Sequence, residues 1–128
     1  MIIDSSALVA ILQKEPEAET FVRKIKASKD RFVSAATLAE AGIVLEHKLG
    51  YQASIDLDLA IVKLGIKIHP VDERQADLAR RAYREFGKGI HPAGLNFGDC
   101  FAYALAKNMG LPLLFKGTDF SKTDIQAC

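Results

Sequence analysis

The sequence predicts an α/β fold in which a mostly parallel sheet is covered by helices on both faces. Short apolar runs of strand length alternate along the chain with longer segments whose apolar residues recur at helical spacing. This alternation favours parallel strands, and it continues from end to end without a linker, a low-complexity tract or an internal repeat. We therefore expect a single domain over residues 1–128, with the carboxyl ends of its strands gathered at one edge of the sheet.

Composition supports one hydrophobic core. A chain of 128 residues, 49% of them apolar, can bury roughly two thirds of its unfolded surface. The net charge is only +1, so any basic surface must come from uneven placement of the charged residues. There is neither a secretory pattern nor an apolar run near the roughly 20 residues that cross a membrane. We expect a cytoplasmic protein, with no membrane partner, in which Cys100 and Cys128 are reduced thiols.

The first half of the chain contains three predicted strands and four predicted helices. Proline in the first turn, beside acids that face the helix dipole, predicts that the second helix begins at Glu15-Pro16-Glu17. Ser34 can cap the third helix, and Gly50 ends it. The strands are Met1 to Asp4, Arg31 to Ser34 and Ile66 to Ile68; the helices are Ser5 to Leu12, the segment from Glu15, Ala35 to Gly50, and Tyr51 to Leu64.

The second half begins with a helix that Asp72 caps and that runs to Phe86. A glycine-rich loop, Gly87 to Phe97, follows it. The exposed side of the helix carries Arg74, Arg80, Arg81 and Arg84. Its predicted buried stripe consists of Ala76, Ala79, Ala82, Tyr83 and Phe86.

One helix-then-strand unit closes the predicted fold. Asp99 opens the helix, and Gly110 is placed to end it. Leu113 to Phe115 is a short buried strand, which Asp119 follows. One last strand is expected near Ile125.

Four acids stand out because each is set among small or apolar residues. An unpaired buried carboxylate is unfavourable, and two of them within about 4 Å repel by roughly 4 kcal/mol at an effective dielectric constant near 20. A divalent cation relieves this repulsion, and oxygen-only ligand sets suit hard ions such as Mg²⁺ or Mn²⁺. Such an ion polarises phosphoryl oxygens and activates water, which points to phosphodiester hydrolysis by one or two metals. The acids are Asp4 in MIID, Glu40 in TLAEAGIVL, Asp99 in FGDCFAYALA and Asp119 in LLFKGTD.

Each acid also has a purely structural interpretation. Asp4 and Asp99 can cap helix starts or complement their dipoles, and Asp119 can be an ordinary turn residue. Glu40 is harder to explain in this way, because no Lys or Arg lies three or four positions from it on its helix.

Taken together, the four acidic segments resemble the four acidic motifs of the PIN-domain family. In chain order they are MIIDSSALVAIL, SAATLAEAGIVL, LNFGDCFAYALA and LPLLFKGTDFSKTDI. The resemblance extends over essentially the whole chain and is greatest to the VapC-type ribonuclease toxins of bacterial toxin-antitoxin pairs. It implies a PIN-like three-layer α/β/α sandwich with a mostly parallel sheet of about five strands, and metal-dependent endonuclease activity on RNA.

The resemblance also implies a role for each acid. Asp4, Glu40 and Asp99 match the three most regular acids of the family and would hold the metal. Asp119 matches the fourth, and Asp124 in the same segment is a second candidate.

Two hydroxyl groups, on Ser6 and Thr118, stand where similar proteins support the acidic cluster. By the same resemblance we expect a homodimer held inactive by a VapB-like antitoxin, with an antitoxin Arg or Lys entering the carboxylate cluster. The helical segments from Ser5 to Lys26 and from Ala35 to Tyr51 are expected to supply apolar surface for the antitoxin.

RNA phosphates require cations around an acidic pocket. The Arg74 to Arg84 face is the densest basic patch, although it can equally be a solvated helix surface or a dimer element. The candidates in predicted loops are Lys14, Arg31, Lys88, His91 and Lys116.

The mechanistic hypothesis is hydrolysis of an RNA phosphodiester by a metal-activated water, which leaves 5'-phosphate and 3'-hydroxyl ends. The main alternative is a catalytically silent PIN-fold module that only binds RNA or a partner, which the intact acids oppose. A receiver-like domain would need a close acidic pair after the first strand, where Asp4 stands alone. A haloacid-dehalogenase-type phosphatase would need a second Asp at the position of Ser6.

Overall fold

A computed structural model describes residues 1–128, which form four strands, six α-helices and one 3₁₀ helix. In chain order they are β1 (Ile2–Ile3), α1 (Ser5–Leu12), α2 (Ala18–Ala27), β2 (Phe32–Ser34), α3 (Ala35–Leu49), α4 (Tyr51–Lys63), β3 (Lys67–His69), α5 (Glu73–Phe86), α6 (Phe97–Met109), β4 (Leu113–Leu114) and the 3₁₀ helix (Phe120–Lys122).

The strands form one parallel sheet in the order β3-β2-β1-β4. This confirms the parallel sheet, but the number of strands is four and the expected five is wrong. The segment near Ile125 makes only an isolated parallel bridge, between Leu113 and Ala127. Leu113 accepts from Cys128 N and donates to Gln126 O, so this segment pairs with a single residue of β4 and does not extend into a strand.

Successive residues of β1 face opposite sides of the sheet. Ile3 packs in a core with side chains of α1 to α4, whereas Ile2 packs in a second core with α5 and α6. The same alternation holds in β4, where Leu114 belongs to the first core and Leu113 to the second. The sheet therefore lies between two helical layers, which confirms the three-layer sandwich.

Two predicted helix ends are confirmed. The Asp72 side chain accepts a hydrogen bond from Gln75 N at 2.9 Å and so caps α5. Gly110 ends α6 in the left-handed region, at φ 65° and ψ 33°, which a residue without a Cβ adopts at little cost.

One predicted helix start and one predicted cap are wrong, whereas the predicted start of α3 at Ala35 is confirmed. The second helix begins at Ala18 and not at Glu15, because Glu15 to Glu17 form a turn in which Ala18 N donates to Glu15 O. Ser34 occupies the N-cap position of α3 but makes no capping hydrogen bond, and its hydroxyl is buried without a partner.

The predicted buried stripe of α5 is only partly correct. Ala79 and Ala82 are buried and Phe86 is half-buried, but Ala76 and Tyr83 are exposed. Because α5 packs mainly against one helix, α6, its neighbour covers a narrower arc than the five apolar positions span. The exposed Ala76 and Tyr83 instead line a groove between α5 and α6.

Cys100 is buried and Cys128 is half-buried, and both are free thiols as expected. None of the helices combines the length and the apolar character that crossing a bilayer requires.

Candidate active site

Three of the predicted acids, Asp4, Glu40 and Asp99, line one pocket of about 310 Å³. Asp4 follows the central strand β1 and caps α1, Glu40 lies in the middle of α3, and Asp99 lies in the first turn of α6. Residues that are distant in sequence therefore meet at the carboxyl edge of the sheet, where α/β folds bind ligands. Ser6 and Lys116 line the same pocket.

Asp4 is buried, and its two carboxylate oxygens have different surroundings. Oδ2 accepts hydrogen bonds from Ser6 Oγ at 2.6 Å and from Ser6 N at 3.0 Å, whereas Oδ1 is buried without a partner. Burial raises the pKa of Asp4, and the Ser6 hydrogen bonds oppose that shift only in part. Ser6 Oγ also accepts from Lys116 N at 2.9 Å, which links Asp4 to the end of β4. The expected supporting role of Ser6 is thus confirmed.

Glu40 lies directly against the backbone of Gly98 in the first turn of α6. A Cβ at Gly98 would stand 1.7 Å from Glu40 Oε2, so only glycine leaves room for this carboxylate. The other oxygen, Oε1, is buried without a hydrogen-bond partner. The role of Gly98 is not among the predictions from sequence. The sequence signal for it is a glycine inside the first turn of a helix, where glycine is intrinsically unfavourable.

Asp99 does not open α6, because Asn96 is the N-cap residue. Asn96 Oδ1 accepts from Asp99 N at 2.8 Å, and Asp99 Oδ2 accepts from Asn96 N at 2.9 Å, which makes a reciprocal capping box. The capping interpretation of Asp99 is therefore correct in part, with Asp99 in the third helical position.

The environment of Asp99 disfavours its charged form. Burial raises the pKa of Asp99 to about 6, although the hydrogen bond from Asn96 opposes the shift. The negative charges of Asp4, Glu40 and Asp119 raise that pKa further. Three acids from different elements thus act electrostatically on a fourth, which is the pattern that functional sites produce.

The fourth acid lies at the margin of this group. Asp119 is exposed at the start of the 3₁₀ helix and does not line the pocket, although its charge acts on Asp99. Asp124 accepts a hydrogen bond from Tyr103 Oη and pairs with Lys107 Nζ, both at 2.7 Å. Partial burial raises the pKa of Asp124, but these two contacts outweigh burial and leave the pKa below its usual range.

Thr118, the second predicted hydroxyl, is exposed and donates no side-chain hydrogen bond to the acids. Its sequence position beside Asp119 therefore does not translate into the contact that Ser6 makes with Asp4.

Of the five cations proposed for RNA, only Lys116 lines the acid pocket. Its ammonium group pairs with Glu15 and with Glu17, and these hydrogen bonds raise the pKa of Lys116. Arg31 instead donates to three backbone carbonyls, those of Lys26, Ser28 and Leu64, and so has a structural role.

The other three cations lie outside the pocket. His91 Nδ1 accepts from Ala93 N at 3.0 Å and its ring packs against Phe86, which places it in the loop structure. Lys14 is exposed after α1, and Lys88 lines a separate groove.

No Lys or Arg side chain of the chain forms an ion pair with Asp4, Glu40 or Asp99. Their ligand type and the two unpartnered buried oxygens, Asp4 Oδ1 and Glu40 Oε1, fit a hard divalent cation. The side chains are not arranged around a common ion, since no group of three His, Cys, Asp or Glu side chains has the geometry of a metal site. Metal binding would therefore require side-chain movement in this pocket.

Comparison with known proteins gives a consistent result. The family model of the PIN domain matches residues 1–126. The VapC ribonuclease Mb0640 of Mycobacterium bovis is 50% identical over 125 residues, which are 98% of this chain and 95% of that protein. A ribonuclease VapC of Mycolicibacterium smegmatis is 50% identical over 127 residues, which are 99% of this chain and 98% of that protein.

Two solved structures have a similar fold. VapC20 of Mycobacterium tuberculosis, a sarcin-ricin loop cleaving toxin, matches with a TM-score of 0.79 at 17% identity and covers 99% of this chain and 97% of its own. A toxin-antitoxin complex from Klebsiella pneumoniae matches with a TM-score of 0.70 at 18% identity and covers 96% of this chain and 92% of its own. At these identities the likeness concerns the fold alone.

Proposed function

The chain belongs to the PIN-domain family and, within it, to the VapC ribonucleases, and from this premise we propose that Asp4, Glu40 and Asp99 hold Mg²⁺ or Mn²⁺ for the cleavage of RNA. The protein is a ribonuclease toxin of a VapBC-type toxin-antitoxin pair. The proposal that these acids bind a metal rests on one observation. Two acids of the same pocket each keep a buried carboxylate oxygen without any partner from the chain.

A divalent ion bound by these carboxylates would supply Lewis-acid stabilisation of phosphoryl oxygens and a water of lowered pKa. The chain itself positions the acids. Ser6 orients Asp4 through two hydrogen bonds, and Asn96 restrains Asp99 through the capping box. Gly98 leaves the space in which the Glu40 carboxylate lies. Hydrogen bonds thus restrain Asp4 and Asp99. The adjustment that metal binding requires falls to Glu40, whose Oε1 has no partner.

We assign Asp119 as the fourth acid in preference to Asp124. The charge of Asp119 acts on Asp99, and no side-chain hydrogen bond or ion pair occupies its carboxylate. Asp124 is occupied by Tyr103 and Lys107. Substitution of the two acids separately distinguishes them, since only the fourth acid of the site should affect cleavage.

The test of the nuclease assignment is direct. Purified protein, freed of antitoxin, should cleave structured RNA in Mg²⁺ or Mn²⁺, produce 5'-phosphate and 3'-hydroxyl ends, and stop when EDTA is added. Asp99→Asn should lose cleavage while its circular dichroism spectrum remains that of the wild type. A folded Asp99→Asn protein that still cleaves at the wild-type rate would show that Asp99 is not a site residue.

The catalytically silent alternative predicts a different result. A module that only binds RNA would retain RNA in gel-shift experiments but would not produce new ends at any metal concentration. The unpartnered oxygens of Asp4 and Glu40 favour the nuclease, because a binding-only module has no use for uncompensated buried acids.

The antitoxin surface is proposed on α3 and α4. Of the two segments expected to contribute it, the one from Ala35 to Tyr51 contains α3, which exposes Ile43 and Leu49. The other, from Ser5 to Lys26, exposes no large apolar side chain. Ile43 and Ile68 are exposed beside Leu38 in a groove that also contains Glu46 and Asp58. Apolar surface rimmed by acids suits an amphipathic basic segment, which is the chemistry expected of a VapB-like antitoxin.

Co-expression with the product of the adjacent gene tests this pairing, and Ile43→Asp should weaken capture without reducing cleavage by the free toxin. The homodimer is part of the same proposal, and sedimentation of the purified toxin measures it. Because the substrate is RNA, we place the protein's action in the cytoplasm.

A further inference from the structure

A second groove, of about 660 Å³, lies between α5 and the first turn of α6. No acidic residue lines it, in contrast to the pocket beside it. Its walls combine three cationic side chains with three aromatic ones: Arg80, Arg84, Lys88, Tyr83, Phe97 and Phe101.

The groove and the acid pocket are neighbours in the fold. Asn96, the N-cap of α6, lines both of them. Two of the three residues that follow it divide between the sites, since Phe97 lines the groove and Asp99 lines the pocket. A polymer lying in the groove therefore reaches the carboxylates within one helical turn.

The cations of the groove are not neutralised by the chain. Arg84 and Lys88 form no ion pair. Arg80 approaches Asp77 at 3.8 Å, but both side chains are largely exposed, so the pair contributes little. With a net charge of only +1 for the whole chain, three cations and no acid in one groove is a strong local asymmetry.

The aromatic side chains are exposed beyond what folding explains. Phe97 is 78% exposed and Tyr83 is 42% exposed. Phe97 and Phe101 pack in a T-shaped pair with ring centroids 4.9 Å apart, so Phe97 is supported on one side while most of its ring is accessible to a ligand. Open aromatic faces among unpaired cations are the combination that binds single-stranded nucleic acid.

We propose that this groove binds a single-stranded segment of the RNA substrate next to the phosphate that is cleaved. Bases stack on Phe97 and Tyr83, and Arg84 and Lys88 contact the backbone phosphates. This inference rests on the proposed function and adds to it the path of the substrate. A second copy of the chain is the other occupant that the experiment must distinguish.

The stacking part is tested by binding of a fluorescent single-stranded RNA in EDTA, where cleavage does not occur. Phe97→Ala should weaken binding by about tenfold, the effect expected for loss of one base stack, and Phe97→Tyr should restore it. Val62→Ala is the matched control, because Val62 is also 78% exposed but lies on α4 outside this groove. Its affinity should equal that of the wild type.

The phosphate part is tested by salt dependence. Arg84→Gln and Lys88→Gln should each reduce the slope of log Kd against log salt concentration by about 0.7, the value for one phosphate contact on a single strand. Arg74→Gln is the matched control, since Arg74 is exposed on the same helix but does not line the groove. It should leave the slope unchanged.

The outcomes separate this inference from the nuclease assignment. If the wild type cleaves RNA and Phe97→Ala binds it with unchanged affinity, the groove is not the RNA path while the nuclease assignment stands. If Phe97→Ala converts a dimer to a monomer in sedimentation without changing RNA affinity, the groove is an interface between copies and the inference is wrong. If the wild type shows no cleavage with metal but the groove variants weaken binding as stated, the groove is supported and the nuclease assignment fails.

Discussion

Two groups of acids in this protein have opposite surroundings. In the C-terminal segment, Asp124 is paired with Lys107 and hydrogen-bonded by Tyr103, and its pKa lies below the usual range. In the pocket at the sheet edge, Asp4 and Asp99 form no ion pair with a Lys or Arg of the chain, and burial raises their pKa values. An acid that serves stability is accompanied by its own counter-charge. The pocket acids lack one, and this lack indicates a cation from outside the chain.

The same contrast explains why the pocket acids lower the stability of the metal-free protein. Buried unpartnered oxygens lose their hydration without compensation. We therefore expect substitutions in the pocket to reduce activity and raise the stability of the metal-free protein. Substitutions at Asp124 should leave activity unchanged and reduce stability.

The largest expected effect is the loss of cleavage in Asp4→Asn or Asp99→Asn. If these acids hold a metal as proposed, either substitution should reduce the rate by about 10³-fold or more, since a catalytic metal stabilises the transition state by several kcal/mol. Asp124→Asn, which removes an acid outside the pocket, should keep its activity and lose about 1 kcal/mol of stability. Initial rates and urea melts measure both. Equal activity losses in Asp99→Asn and Asp124→Asn would remove the distinction between the two groups.

A second expected effect concerns Gly98→Ala. Its Cβ would overlap the Glu40 carboxylate, so Glu40 must move and metal affinity should fall by about 10- to 100-fold, as for loss of other supporting groups. Gly42→Ala is the matched control, because Gly42 lies on α3 two residues from Glu40 and its Cβ would make ordinary contacts, with Ser54 Oγ at 3.4 Å and Leu57 Cδ2 at 4.0 Å. Titration with Mn²⁺ measures both variants, and equal affinities would show that the close contact with Gly98 does not position Glu40.

A smaller effect is expected at the fourth acid. Asp119→Asn should reduce cleavage by about tenfold, because Asp119 lies at the margin of the pocket and acts on Asp99 through its charge. Loss of that charge should also lower the pKa of Asp99, which NMR titration of the side-chain carboxyl measures. An unchanged pKa and an unchanged rate would leave the site with three acids.

The smallest effect is on stability and its dependence on pH. The folded protein holds the Asp99 proton with a pKa of about 6, well above the usual value for Asp, so Asp99 contributes stability below about pH 4 that is lost as the pH rises through 6. Metal-free Asp99→Asn should therefore melt a few degrees higher than the wild type at pH 7.5, and this difference should vanish near pH 4. Scanning calorimetry in EDTA measures it. A lower melting temperature for Asp99→Asn at pH 7.5 would show that its charge is compensated within the chain.

Local sequence predicted the parts of this molecule that depend on local chemistry. The alternation of strands and helices, the cap at Asp72 and the stop at Gly110 follow from short-range rules and are present. The acids were found because each stands among apolar residues, and three of them do share one pocket.

The parts that sequence did not predict depend on contacts between distant elements. Gly98 is explained only by Glu40 lying against it, and the partial exposure of α5 only by its packing mainly against one helix, α6. The turn at Glu15 to Glu17 places acids beside Lys116, a pairing across some hundred residues of chain. Helix propensity reflects only short-range interactions and takes no account of such contacts. It therefore predicted a second helix that begins at Glu15, three residues before the observed start at Ala18.

Calorimetric titration of the antitoxin-free protein with Mn²⁺, in the absence of RNA, tests the role of the pocket most directly. We predict saturable binding to the wild type and to Asp124→Asn, and loss of that binding in Asp4→Asn and Asp99→Asn proteins whose circular dichroism spectra are unchanged. Wild-type protein that takes up no Mn²⁺, or a folded Asp99→Asn protein that binds it as tightly as the wild type, would contradict a metal-holding pocket.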